Sequence, residues 1–156
     1  GRHVDMAALG RRWSSYCAPL ASAAAALCAF SNAHDGELVF DDVYAIVQNP
    51  DVYPSTPCWA LWSHDFWGFP LTSDLSHKSF RPLTTLSFRA HLLWAQGRLS
   101  DETAAAMHRA NVFLHALNSA LFARTCQVVL AMDVHQAALA GLLFAVHPVH
   151  AEAVAS

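Results

Sequence analysis

Trp13-Ser14-Ser15-Tyr16-Cys17-Ala18-Pro19-Leu20-Ala21-Ser22-Ala23-Ala24-Ala25-Ala26-Leu27-Cys28-Ala29-Phe30-Ser31-Asn32-Ala33 is the stretch on which the fold turns. No charge falls between Arg12 and Asp35. A helix needs about 20 apolar residues to cross the hydrocarbon core of a bilayer, and this stretch is long enough. Arg2, Arg11 and Arg12 precede it; Asp35 and Glu37 follow it. The positive-inside rule predicts a cytosolic N-terminus over residues 1–12, a first span over 13–33 and Asp35 on the far side. The rival reading is a cleaved signal peptide ending near Ser31-Asn32-Ala33, where small residues fit a cleavage site. Either reading sends the next segment into a lumen.

Composition agrees with a membrane setting. Of the 156 residues, 54% are hydrophobic and only 13% charged. Soluble domains carry about 25% charged residues. The net charge of -3 and the lack of a basic run argue against nucleic acid. The four cysteines, Cys17, Cys28, Cys58 and Cys126, form no CxxC pair, so neither a zinc knuckle nor a redox motif is indicated, and all four are expected to be unpaired. The sequence opens on Gly1, has Met6 as a candidate start, and stops at Ala155-Ser156 directly after an apolar helical pattern. It is expected to be a piece of a longer protein.

The rest of the chain divides by the same logic. Residues 34–106 are predicted to form a lumenal loop, cut into short pieces by Pro50, Pro54, Pro57, Pro70 and Pro82. Trp59, Trp62, Phe66 and Trp67 fall on one face of a helix, which predicts a short helix at the lumenal membrane surface. An ordinary amphipathic core helix is the equal alternative. Leu83 to Trp94 reads as a second such helix. A second span is predicted over 107–125, with Arg109 and Arg124 snorkelling to the interfaces. A cytosolic turn over 126–134 and a third span over 135–151 follow, the latter ending in the lumen. The fold class is therefore all-α: a polytopic membrane protein with a long lumenal loop.

Three groups of residues have chemical potential. Asp41 and Asp42 are adjacent carboxylates among apolar neighbours, suited to general-base work on a hydroxyl. A helix cap is the bland alternative. His77, Lys78 and Arg81 gather cations that suit a lipid phosphate, or simply anionic headgroups. His147, His150 and Glu152 have metal-ligand side chains, but His-Pro-Val-His-Ala-Glu is not the zinc-binding HExxH pattern. They are read as lining a pocket at a span end. All three groups fall on the lumenal side of the predicted topology, which suits a reaction between a membrane-borne phosphate donor and a lumenal acceptor.

Four stretches together carry a resemblance: Phe40-Asp41-Asp42-Val43-Tyr44-Ala45-Ile46-Val47-Gln48-Asn49-Pro50-Asp51-Val52; Asp65-Phe66-Trp67-Gly68; Ser76-His77-Lys78-Ser79-Phe80-Arg81-Pro82-Leu83-Thr84; and Leu143 through His147-Pro148-Val149-His150-Ala151-Glu152 to Ala155. In order and spacing they resemble the transmembrane and tetratricopeptide-repeat O-mannosyltransferases that act on cadherins. Ala151 departs from the family's usual threonine. The resemblance implies the N-terminal part of a C-type glycosyltransferase fold in the endoplasmic-reticulum membrane. The implied donor substrate is dolichyl-phosphate mannose, and the acceptors are Ser/Thr hydroxyls on cadherin-like domains. The family's acidic pair maps onto Asp41 and Asp42. Further spans and the repeats are missing here, so this piece alone is expected to be inactive.

On this reading Asp41 or Asp42 takes the acceptor's proton, mannose inverts, and Lys78 or Arg81 steadies the departing phosphate. No metal or cofactor is expected. A non-catalytic multi-span scaffold or a transporter is the alternative.

Overall fold

The computed structural model describes residues 6–33 and 36–155, with side chains from Ser15 onward. The side chains of Arg2, Arg11 and Arg12, and Asp35, on which the predicted orientation of the first span rests, lie outside the described residues. The chain is all-α: α1 (Met6–Ala29), α2 (Pro82–Trp94), α3 (Asp101–Val128), α4 (Val134–Ala145) and α5 (Ala151–Ala155). A π-helical turn at Val43–Val47 and 3-10 turns at Pro50–Val52, Cys58–Trp62 and Pro148–His150 complete it. No strand forms among the described residues; an isolated bridge pairs His64 with Pro70. The chain divides into two units, residues 1–33 with 108–155 and residues 34–107.

In the first unit α1 packs on α4. The packing is made of small side chains at four-residue spacing. Ala18, Ser22 and Ala26 of α1 and Ala137 and Ala145 of α4 are fully buried, with Gly141 buried between the latter two. Ala116, Ser119, Ala123 and Cys126 of α3 are buried too. Residues four apart share a helix face, so a small-xxx-small repeat lets two backbones approach closely. The approach at Gly141 is tight: a Cβ there would stand 2.1 Å from Ser22 Oγ and 2.8 Å from Ala123 Cβ. Ser22 and Ser119 satisfy their hydroxyls on carbonyls one turn back, those of Ala18 and His115. The large apolar side chains point the other way: Leu20, Phe113, Leu114, Leu121, Leu139 and Leu143 are all exposed. Asp133 caps α4 by accepting the His135 and Gln136 N–H groups, which hold its carboxyl below the usual range, while Gln136 reaches back in a capping box.

No single helix among the described residues is long and apolar enough to cross a membrane; α4 and the segment Pro148–Ala155 pass that test together, with a 44° bend between them. Ser15–Ala29 is a shorter apolar helix. The continuous helix expected over 135–151 is thus two pieces. Pro148 has no N–H for the carbonyl of Phe144, and a residue before proline is pushed out of the helical region. His147 accordingly sits at φ −66°, ψ 128°.

The second unit encloses Ala45, Ile46, Val52, Phe66, Leu92 and Met107. α2 supports it, packing on the turns at Val43–Val47, Pro50–Val52 and Cys58–Trp62. The helix expected over Leu83–Trp94 is this α2. It buries Thr85, Arg89 and Leu92, leaving Leu83 and Trp94 exposed. Arg89 is tolerated inside because its guanidinium donates to the carbonyls of Asp51, Pro54 and Thr56. The helix expected to place Trp59, Trp62, Phe66 and Trp67 on one face stops at Trp62. Beyond it the Asp65 carboxylate captures backbone N–H groups that a helix would need, and Gly68 turns the chain at φ +85°. Trp59 and Trp62 remain exposed, while Phe66 is buried.

Candidate functional site

The site is built on a loop that one carboxylate organises. Asp65, 3% exposed, accepts four hydrogen bonds. Trp67 N–H and Phe69 N–H donate to Oδ1 at 2.9 and 3.0 Å. Ser76 Oγ and His77 N–H donate to Oδ2 at 2.6 and 3.0 Å. Burial pushes the Asp65 carboxyl up, but these four donors outweigh it and hold it below its ordinary value. One side chain thus ties residues 67–69 to residues 76–77. Asn49 makes a second tie: its amide donates to the carbonyls of Ala45 and Phe66 and accepts Asp51 N–H. Gly68 lies against it, since a Cβ there would sit 2.5 Å from Asn49 Oδ1.

These ties shape a cavity of about 340 Å³ lined by Asp41, Tyr44, Gln48, Trp67, Phe69 and His77. A carboxylate, an amide and an imidazole share it with three aromatic rings. That mixture fits a ligand with hydroxyls on one face and apolar C–H groups on another. The turn at Val43–Val47 supplies Tyr44, and its flanks supply Asp41 and Gln48.

Two of the sequence-derived residues, Asp41 and His77, therefore line one cavity. Asp42 is half-buried beside Asp41. Lys78, at φ +58°, donates its ammonium to the carbonyls of Leu71 and Ser73, both at 2.6 Å. Arg81 stacks its guanidinium 5.0 Å over the Phe66 ring and keeps its exposure. His147, His150 and Glu152 belong to the first unit. There the His150 ring lies 4.8 Å from that of His115 and 4.6 Å from that of Phe144. No group of three His, Cys, Asp or Glu side chains disposed to hold a metal ion occurs among the described residues.

Sequence reasoning missed Tyr44, Gln48, Trp67 and Phe69 as cavity walls. It also missed His115, 5% exposed in α3, and the pairing of buried Asp51 with the partly exposed His64. An aspartate three residues before a glycine, as in Asp65-Phe66-Trp67-Gly68, is a turn signal that marks the loop. Nothing local marks Gln48.

Comparison with known proteins settles the family. Over 116 residues the chain is 47% identical to protein O-mannosyl-transferase TMTC3 of Homo sapiens, covering 74% of this chain and 12% of that protein. It is 45% identical over 139 residues to TMTC1 of Mus musculus, covering 88% of this chain and 14% of that protein. It is 40% identical over 152 residues to TMTC4 of Homo sapiens, covering 90% of this chain and 20% of that protein. The chain belongs to the TMTC protein O-mannosyl-transferase family. It spans between 12% and 20% of the length of these three TMTC relatives. No family model and no solved structure matches it. In this chain, then, the Asp65 loop brings His77, and the flank of the Val43–Val47 turn brings Asp41, to one aromatic cavity.

Proposed function

We propose that the whole protein transfers mannose from dolichyl-phosphate mannose to Ser/Thr hydroxyls of lumenal or extracellular domains, cadherin-like ones among them, at the endoplasmic-reticulum membrane. The relatives' names support mannosyl transfer to protein. The observation that carries the chemistry is the cavity in which Asp41 and His77 face three aromatic rings. Asp41 takes the proton from the acceptor hydroxyl as its oxygen bonds to the anomeric carbon. The bond from that carbon to the phosphate oxygen breaks, configuration inverts, and dolichyl phosphate departs with the electron pair. His77 and the exposed Arg81 pair with the charge that develops there. Lys78 instead steadies the loop behind them. The membrane setting is supported by the first unit, where small residues meet inside and leucines and phenylalanines face out. Spans and repeats beyond this chain complete the enzyme on this reading.

The test is mannose transfer by the full-length protein beside its Asp41→Asn, Asp42→Asn and double variants. Transfer by the parent, with none by the folded double variant, is the expected result. Full transfer by the double variant would sink the reading, and the two single variants decide which carboxylate is the base.

A further inference from the structure

The bend before Pro148 leaves the carbonyls of Leu143, Phe144 and Ala145 without their helical donors, and the last two find others. Phe144 would have bonded to residue 148, which is proline and has no N–H. Ala145 would have bonded to the N–H of Val149, but that N–H donates to His147 Nδ1 instead, at 3.2 Å. These two carbonyls are rescued differently. The Phe144 carbonyl accepts the N–H of His147 at 3.3 Å, a local repair. The Ala145 carbonyl lies 2.9 Å from His115 Nε2, thirty residues away on α3. A carbonyl can only accept, so Nε2 carries the proton and the tautomer is fixed.

His115 sits among apolar neighbours. It is 5% exposed, with Phe30 edge-on at 5.1 Å and Phe144 stacked at 5.9 Å. A buried imidazole with no partner costs free energy, and so does a buried carbonyl with none. Each cancels the other's cost in the broken helix; in a straight helix the Val149 N–H would compete with His115 for the same Ala145 carbonyl. The same ring, with Phe144, forms the pad against which His150 packs.

We infer that His115 is a positioning residue: its Nε2–H holds the helix break between α4 and Pro148, and its ring fixes the place of His150. Any link to sugar transfer rests on the function proposed above; the clamp itself does not.

The experiment is backbone amide exchange over residues 146–150 in the full-length protein, comparing the parent with His115→Leu and His115→Gln. Glutamine keeps an N–H donor at about the reach of Nε2, whereas leucine keeps bulk and loses the donor. Exchange about tenfold faster in His115→Leu, with His115→Gln close to the parent, is expected from the loss of one buried hydrogen bond. Unchanged exchange in His115→Leu, or equal acceleration in both variants, would overturn the clamp. If His115→Leu does not fold, His115→Asn, whose shorter side chain cannot reach Ala145, takes its place. Mannose transfer is read in parallel. Loss of transfer in His115→Leu with recovery in His115→Gln supports positioning of the reacting groups, and full transfer by a variant with accelerated exchange overturns it. A parent that transfers no mannose removes the proposed function while the exchange comparison still decides the clamp.

Discussion

Nδ1 of His64 lies 2.8 Å from Oδ2 and 3.0 Å from Oδ1 of Asp51, whose side chain is 1% exposed. The imidazole is the side-chain partner that makes this burial tolerable, since an unpaired buried carboxylate is costly. His64→Ala should destabilise the second unit by about 2 kcal/mol, between the values for exposed and buried pairs because His64 is partly exposed. The Asp51→Asn, His64→Ala double variant should recover part of that loss. Thermal unfolding of the four members of the cycle checks it, and no recovery would mean the two side chains act independently.

Asp65 gives the loop an acid limit. Its folded carboxyl lies below the ordinary value, so the stability it contributes is fully present above the unfolded value of about 4 and is lost as pH falls below that, through the folded value. Local stability of residues 65–77 should be flat from neutral pH down to about 5 and decline below about 4. Asp65→Asn should lose about 2 kcal/mol at neutral pH and show a shallower decline in acid. Intrinsic fluorescence of Trp67 against pH reads both.

Lys78 and Arg81 should separate. The Lys78 ammonium is taken by the carbonyls of Leu71 and Ser73, while the Arg81 guanidinium stays exposed over Phe66. Lys78→Met should lower thermal stability by about 1–2 kcal/mol with little change in donor KM. Arg81→Gln should raise donor KM about tenfold with little change in stability. The reverse pattern would assign the phosphate to Lys78.

Gly141 is a point of close approach in the first unit. Gly141→Val should separate α1, α3 and α4, since even the first added carbon overlaps Ser22 Oγ. A cost above about 3 kcal/mol is expected from overpacking a site that rigid backbones enclose. Protease sensitivity of the α3–α4 connection measures the loosening. Gly97→Ala is the control: there a Cβ meets nothing within 4 Å, so only its φ of +77° is strained.

What the sequence determined was set by composition and short-range pattern. Charge-free stretches fixed where helices bury no ions, Pro148 fixed where α4 stops, and four motifs in order identified the family. α2 was legible because Pro82 opens it and an unbroken run of helix-compatible residues follows. The Trp59–Trp67 helix was misread because its apolar spacing is also what a turn-rich core leaves behind, and the capture of N–H groups by Asp65 is invisible to periodicity.

Tertiary structure decided the rest. Local pattern could not say that Lys78 spends its charge on carbonyls, that Arg89 points inward to residues as much as 38 positions away, or that His115 reaches Ala145 across 30. Nor could it say that Asp41 shares a cavity with His77. A polar side chain's role depends on which partner arrives beside it, and that partner is supplied by packing of distant segments. The spacing of apolar residues determines which faces are buried; it does not determine where a buried donor finds its acceptor.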